Sequence, residues 1–298
     1  MFKHILVPLD GSRLAEAAIP PTLKLSNLLG ASVTLLHLVE TNAPKQVHGD
    51  KHLISFAEAE EYLKDTARKY FPSEINTICH THEVDVRNVA RSIAEHSGEF
   101  KPDLIILCSH GESGLRNWMV GSIAQQVIGY TKTPLILIPL DHQGKAAQTE
   151  FHSFLVAMDG EEEHDRGLII AAELAQSTGA KIHLLTIVAT TDTLSGENAA
   201  TRRLLPSTMK AMLNFTEENA FIHLEEHARE WRAKGLDVTT EVRRGDPPSE
   251  IIHAAAERGD DLIVVGTHGK AGWEAFWSGS VAPKVVNQST TALLLVPV

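Results

Sequence analysis

The sequence has 298 residues, of which 43% are hydrophobic and 22% are charged, a composition typical of folded globular proteins and not of disordered chains. The formal net charge of −11 argues against nucleic acid or anionic lipid as a partner, because both are negatively charged themselves. The length predicts two domains of ordinary size, each able to bury its own core.

The cysteine content and the apolar runs indicate where the protein works. Cys79 and Cys108 are the two cysteines of the sequence, which favours reduced thiols over a disulfide framework. The opening MFKHILVPLDGS reads as a strand and not as a secretory signal. No apolar run approaches the roughly 18 residues needed to span a bilayer. We therefore expect a cytoplasmic protein with no nucleic-acid partner and no insertion into a membrane.

Apolar runs and helical spacing alternate along the chain. Short runs rich in Ile, Leu and Val predict strands at 4–9, 33–39, 77–84, 104–108, 134–139, 153–158, 181–188, 237–243, 261–265 and 291–297. Helical spacing predicts helices that include 164–178, 208–233 and 247–259. This order predicts an α/β fold with doubly wound parallel sheets of Rossmann-like type. Ligands of such sheets bind beyond the carboxyl ends of the strands.

The second half of the chain repeats the first. Four segments occur twice in the same order: ILVPLDG at 5–11 and FLVAMDG at 154–160, GASVTLLHLVE at 30–40 and GAKIHLLTIVA at 179–189, DLIILCSHG at 103–111 and DLIVVGTHG at 261–269, TPLILIP at 133–139 and TALLLVP at 291–297. The chain is therefore a tandem repeat of two domains, with predicted boundaries 1–142 and 152–298. The stretch between them is polar, as expected of a linker.

A glycine pattern follows the strand at 261–265. Gly266 and Gly269 are separated by two residues, and after nine further residues Gly279 and Ser280 open a predicted helix. Glycine lets the backbone approach a ligand closely and adopt a positive φ. The free N–H groups and the dipole at a helix N-terminus favour an anion. The pattern therefore predicts a phosphate-binding site.

This pattern, written G-x-x-G-x9-G-[ST], resembles that of the universal stress protein family. The first strand of each half, ending in Asp10 and Asp159, is also similar to that family. The resemblance covers nearly the whole chain, twice. It implies a universal stress protein that acts in stress response or regulation, with slow hydrolysis of its nucleotide or none.

The resemblance also implies positions for an adenine nucleotide in the second half. Asp159 would lie against the adenosine with Ala157 beside it, and Ile187 would line the adenine pocket. The ribose and phosphates would be held by Gly266, Gly269, Gly279, Ser280 and the backbone of Val281. The implied ligand is ATP, alone or with Mg²⁺. Nothing in the sequence discriminates ATP from ADP or AMP.

The first half departs from the pattern. Cys108 stands in place of the first glycine, and its side chain would occupy the space that contact between backbone and ligand needs. Asp10, Gly111, Gly121 and Ser122 remain. We expect a degenerate nucleotide motif in this half, and an inert core position for Cys108.

No catalytic residue and no metal ligand is identified. His223 and His227 fit the H-x-x-E-H pattern of some zinc peptidases, but the charged residues around them favour a solvated helix face. The acidic run at 161–163 would lie near the phosphates, which makes Mg²⁺ the natural companion of a triphosphate.

Two alternatives to a regulatory ATP-binding protein stay open. One is a weak ATPase, although no P-loop of the type G-x-x-x-x-G-K-[ST] is present. The other is a protein-interaction module that binds no nucleotide. The family resemblance implies that the strands at 134–139 and 292–297 pair within one chain about a pseudo-twofold axis. Two such chains could form a homodimer, and the sequence identifies no protein partner.

Overall fold

The computed structural model describes residues 2–41, 46–47, 50–51, 53–85, 89–109, 122–141, 143–147, 149–160, 165–188, 190, 206–267 and 281–297. The contacts between residues divide the chain into two compact units. The first unit contains Met1–Glu150 together with Thr267–Pro297, and the second contains Phe151–Gly266 with the last residue.

Strands and helices alternate in both halves. The elements of the first half are β1 (His4–Pro8), α1 (Arg13–Glu16), α2 (Ile19–Leu29), β2 (Ser32–Thr41), β3 (Gln46–Val47), β4 (Asp50–Lys51), α3 (Phe56–Tyr70), β5 (Thr77–Asp85), α4 (Val89–Glu99), β6 (Leu104–Ser109), α5 (Ser122–Tyr130) and β7 (Leu135–Pro139). Those of the second half are β8 (Ser153–Met158), α6 (Asp165–Thr178), β9 (Lys181–Val188), α7 (Pro206–Ala233), β10 (Val238–Arg244), α8 (Pro247–Arg258), β11 (Leu262–Thr267), α9 (Val281–Gln288) and β12 (Ala292–Pro297). The ten predicted strands and the α/β class are confirmed.

In the first unit, the strand order is β5-β2-β1-β6-β7-β12. The five strands from the first half pair in parallel, and β12 pairs with β7 in the antiparallel direction. Leu293 lies opposite Leu137, and Leu295 lies opposite Leu135. The predicted pairing of the last strand of each half within one chain is therefore confirmed. The short strands β3 and β4 form a separate antiparallel pair.

In the second unit, the strand order is β10-β9-β8-β11, and all pairs are parallel. Helix α6 packs against β8 and β9, while α7 packs against β9 and β10. The chain runs from β8 outward through β9 to β10 and then returns to β11 on the opposite side of β8. The sheet therefore has its topological switch point between β8 and β11, which is where ligands bind in such folds.

Both halves fasten the start of their first strand in the same way. The Asp103 carboxylate, just before β6, accepts hydrogen bonds from the backbone N–H groups of Lys3 and His4 at 2.7 and 3.0 Å. Asp261, just before β11, accepts from the N–H groups of His152 and Ser153 at 2.9 and 3.4 Å. These paired contacts satisfy backbone donors next to the first strand and confirm the duplication at the level of side-chain roles.

Helix α8 shows how local sequence sets an element. Asp246 caps its N-terminus, with the side chain accepting from Ser249 N, and Pro247 and Pro248 occupy its first turn. Gly259, with φ of +70°, ends it in the left-handed region. The predicted helix therefore begins and ends within one residue of its sequence-based bounds. Among the described residues, no helix is both long and apolar enough to cross a membrane.

Candidate functional site

The predicted adenosine-binding residues lie at the carboxyl ends of adjacent strands. In the second unit, Ala157 on β8 is in register with Val265 on β11 and with Leu185 on β9. Gly266 follows Val265, and Ile187 lies two residues beyond Leu185 on the same face of β9 as Leu185. Three neighbouring strands therefore bring Ala157, Ile187 and Gly266 together beside the switch point.

These three residues are also more exposed to solvent than the other residues near the centre of their strands. The central residues of β8, β9 and β11 are buried, whereas Ala157, Ile187 and Gly266 are partly exposed. An apolar residue that is partly exposed at the ligand-binding edge of a parallel sheet offers a contact surface for an apolar ring. Ala157 and Ile187 therefore present aliphatic surface at the ligand-binding edge of this sheet.

Asp159 lies on the loop that leaves β8 and is exposed. Gly160 follows with φ of +84°, a conformation that favours glycine, and no described atom lies within 4 Å of a Cβ built on it. Among the described residues, the space beside Gly160 is therefore open.

The helix that follows this loop lies close to the Gly266 backbone. A Cβ built on Gly167 of α6 would be 3.7 Å from Gly266 N, an ordinary van der Waals contact. At the start of α6, the Asp165 carboxylate lies 3.5 Å from His227 Nε2 on α7. His227 also meets the ring of His223, with centroids 4.6 Å apart. The H-x-x-E-H histidines thus connect α7 to the start of α6.

Part of the predicted phosphate site falls outside the described residues. This applies to Gly269, Gly279 and Ser280, and also to the acidic run at 161–163. Val281 is the first residue of α9 and is partly exposed. The buried residues of that helix are Ala282, Pro283, Val285 and Val286.

The first half has the same strand ends, but two of the three equivalent positions are buried there, while Pro8, the counterpart of Ala157, is partly exposed. Leu38 and Cys108, which correspond to Ile187 and Gly266, are 8% and 4% exposed. Burial raises the pKa of the Cys108 thiol far above its usual range, and the nearby Asp10 acts in the same direction. Cys108 is therefore an inert core thiol, as its place in the strand predicted.

The loop after β1 is also covered. Gly11 has φ of +85°, nearly the value at Gly160, but a Cβ built on it would be 2.9 Å from Leu53 Cδ1. Leu53 also lines a cavity of about 440 Å³ in this unit. Among the described residues of that lining, the carboxylates are Glu16, Glu58, Glu61 and Asp65, and the cation is Lys69. An anionic phosphate chain would be repelled there.

The relationship of the chain to known proteins agrees with this architecture. The sequence model of the universal stress protein family matches residues 1–139 and again residues 150–297. The chain belongs to the universal stress protein family. The universal stress protein YxiE of Bacillus subtilis is 31% identical over 150 residues, covering 49% of this chain and 99% of YxiE.

Two longer relatives share the tandem length. A universal stress protein of Mycolicibacterium smegmatis is 21% identical over 300 residues and covers 98% of this chain and 96% of its own. The crystal structure of a universal stress protein from Archaeoglobus fulgidus superposes with a TM-score of 0.67 at 18% identity, covering 99% of this chain and 96% of that one. The fold is therefore that of a universal stress protein with two domains in one chain.

In the second unit, charged residues that the sequence did not single out lie beside the strand ends. Arg243 is in register with Ile187, and its guanidinium donates to Glu241 and Glu257. Arg244 pairs with Glu217 on α7. The sequence feature that could have indicated these ion pairs is the two consecutive arginines at the end of β10. Their carboxylate partners come from two helices and a strand, and those pairings depend on tertiary structure.

Proposed function

We propose that this universal stress protein binds one adenine nucleotide, ATP, through its second domain, within the predicted boundaries 152–298. The observation that carries the proposal is the group of partly exposed positions Ala157, Ile187 and Gly266 on three adjacent parallel strands at the switch point. Asp159 follows directly and is exposed. A flat apolar ring fits against the two aliphatic side chains, and a ribose hydroxyl can donate to the carboxylate.

The phosphates are assigned to the remainder of the glycine pattern. In this proposal, Gly266 and Gly269 let the backbone approach the nucleotide, and Gly279, Ser280 and Val281 N–H present donors at the start of a helix. The nucleotide carries Mg²⁺ when it binds as ATP, because the acidic run at 161–163 would otherwise face a triphosphate of the same sign.

The first domain, within 1–142, does not bind nucleotide in this proposal. Its counterparts of Ile187 and Gly266 are the buried Leu38 and Cys108, so a ring loses two of its three contact positions. Leu53 covers Gly11, and the adjoining cavity is rich in carboxylates. One nucleotide per chain is therefore expected, in spite of the duplication.

The bound nucleotide acts as a signal in this proposal, and the protein as a cytoplasmic regulator in stress response. A nucleotide-binding site of this kind changes the surface that a protein partner or a second copy of the chain meets, without chemistry on the ligand. A weak ATPase is the second candidate, because a bound Mg²⁺–ATP can be hydrolysed slowly by a positioned water. A protein-interaction module without nucleotide is the third.

Calorimetric titration of the purified chain with ATP and Mg²⁺ tests the proposal. We expect one binding event per chain and phosphate release no faster than in buffer. Phosphate release that follows nucleotide occupancy would favour the weak ATPase. The absence of any binding to ATP, ADP or AMP would overturn the proposal and favour the interaction module.

A further inference from the structure

Three histidines meet in the first domain, away from the strand ends discussed above. His80 and His82 lie two residues apart on β5, so their side chains leave the same face of the strand. His96 faces them from α4. Ring nitrogens of the three lie within 4.8 Å of one another, and the ring centroids of His96 are 5.2 and 4.7 Å from those of His80 and His82.

We propose that His80, His82 and His96 bind a divalent transition-metal ion, with zinc as the metal that suits the site best. Imidazole nitrogen is a preferred ligand of zinc, copper and nickel, whereas calcium and magnesium prefer oxygen. Zinc–nitrogen bonds of about 2.0–2.1 Å in a tetrahedron place the ligand nitrogens about 3.3 Å apart. The three ring nitrogens would have to move closer together to reach that spacing when the metal binds.

The orientation of His96 is set for metal binding. Its Nδ1 donates to the Ser92 carbonyl oxygen at 2.7 Å, one turn earlier in α4. That bond fixes the tautomer and leaves the lone pair of Nε2 available to a metal, the arrangement that metal-binding histidines commonly have. The His96 side chain is 5% exposed, so this orientation is held by packing.

Two buried nitrogens in the cluster lack hydrogen bonds. His80 Nε2 and His96 Nε2 are both inaccessible to solvent and have no hydrogen-bond partner among the described residues. A buried polar atom without a partner costs about 1–3 kcal/mol, so native structures rarely keep two side by side. A metal ion that accepts both lone pairs accounts for them together.

Two neighbouring side chains suit a metal site: Glu99 can serve as a fourth ligand, and Phe100 forms an apolar wall. Glu99 Oε2, one turn after His96 on α4, lies 3.8 Å from His96 Nε2. The Phe100 ring packs against His80 and His96 at centroid distances of 4.7 and 5.9 Å. A carboxylate beside three neutral imidazoles lowers the charge of a bound dication, and the phenyl ring excludes water from one side. Bound zinc would fasten α4 to β5.

Zinc binding to the full chain tests this inference, independently of the nucleotide proposal. The protein is stripped with a chelator, dialysed and titrated with zinc sulfate against a competing indicator dye. We expect one zinc ion per chain and a rise in the thermal midpoint on loading. Cobalt in place of zinc should give the intense visible absorption of a tetrahedral site.

Matched variants identify the ligands. His82 is exposed, so His82→Ala should fold normally, weaken zinc binding at least about tenfold and abolish the thermal shift. His253→Ala, at an exposed position on α8, should leave both unchanged. Unchanged zinc binding in His82→Ala would overturn the inference. So would loss of binding in His227→Ala, which would assign the metal to the H-x-x-E-H histidines instead. No zinc binding by the unmodified chain would mean that the three rings form only a packed aromatic cluster.

Discussion

Ala157 and Val265 lie opposite each other on the parallel strands β8 and β11, on the two sides of the switch point. This register places Asp159, two residues after Ala157, and Gly266, one residue after Val265, at one edge of the sheet. Residues more than a hundred positions apart in sequence thereby become neighbours in a single candidate site. The predictions below follow from that arrangement and from its covered counterpart in the first half.

Removing the Asp159 carboxylate should weaken ATP binding. Asp159→Ala removes the acceptor that faces the ribose in the proposed site, and the loss of one hydrogen bond to a charged group is worth about 1.5–3 kcal/mol. We expect the dissociation constant to rise at least about tenfold in calorimetric titration. Asp10→Ala, the matching change in the first half, should leave the constant unchanged. Equal weakening by both variants would contradict a site confined to the second half.

Exchanging glycine and cysteine between positions 108 and 266 should remove the nucleotide site of the second half without creating one in the first. Gly266→Cys should abolish nucleotide binding, because the new side chain occupies the space that the nucleotide needs. Cys108→Gly should not create a second site, because Leu38 stays buried and Leu53 still lies against Gly11. The measurement is the number of nucleotides bound per chain in each variant. A second nucleotide in Cys108→Gly would show that the cysteine alone closes the first site.

The stability of the second domain should fall in mildly acidic solution because of His183. Burial lowers the pKa of His183 to about 4 from 6.5, with Arg258 acting in the same direction. Between these values the unfolded chain binds more protons than the folded chain, so the free energy of unfolding decreases as the pH falls, by up to about 1.4 kcal/mol per pH unit. His183 is held by Thr239 Oγ1 and Glu241 Oε2, both at 3.0 Å.

A His183→Gln variant tests the source of this dependence, since glutamine can keep hydrogen bonds to the same partners without titrating. Urea unfolding across the same pH window should show a shallower slope for the variant than for the unmodified chain. Parallel slopes would mean that other groups cause the acid sensitivity.

The antiparallel pair of β7 and β12 should contribute strongly to stability. Leu294 is fully buried and lies opposite Ile136. Leu294→Ala leaves a cavity and should lower the free energy of unfolding by about 2–5 kcal/mol. Ile169→Ala, at a position on α6 that is 48% exposed, should change it by about 0.5 kcal/mol or less. Thermal or urea unfolding measures both, and similar losses would show that β12 is loosely held.

The strands could be predicted because short, continuous apolar runs that alternate with helical segments are typical of strands buried on both faces. The sequence did not predict the strand pair β3–β4, since two-residue strands reading QV and DK have no such apolar run. The start of α8 was predicted from its prolines, although its cap is the Asp246 carboxylate. Local sequence thus predicts an element where its residues must be buried, as in the strands, or where proline fixes φ, as at the start of α8.

For the candidate site, too, the sequence predicts the equivalent positions in the two halves but not how buried they are. The repeated segments at 30–40 and 179–189 align Leu38 with Ile187, yet Leu38 is buried and Ile187 is partly exposed, a difference that the alignment does not reveal. The cluster of His80, His82 and His96 likewise depends on how α4 packs on β5. Its signal in sequence is a histidine pair with the spacing of a strand, and nothing local indicates the third member.

The central claim is that one adenine nucleotide binds per chain, in the second half. The most direct measurement is to load the purified protein with ATP and Mg²⁺, remove free nucleotide, release the bound nucleotide with acid and quantify it by chromatography. Gly279→Val and the matching Gly121→Val change one residue of each glycine pattern. We predict one nucleotide per chain, lost in Gly279→Val and retained in Gly121→Val. Two nucleotides per chain, or loss in Gly121→Val alone, would contradict the account.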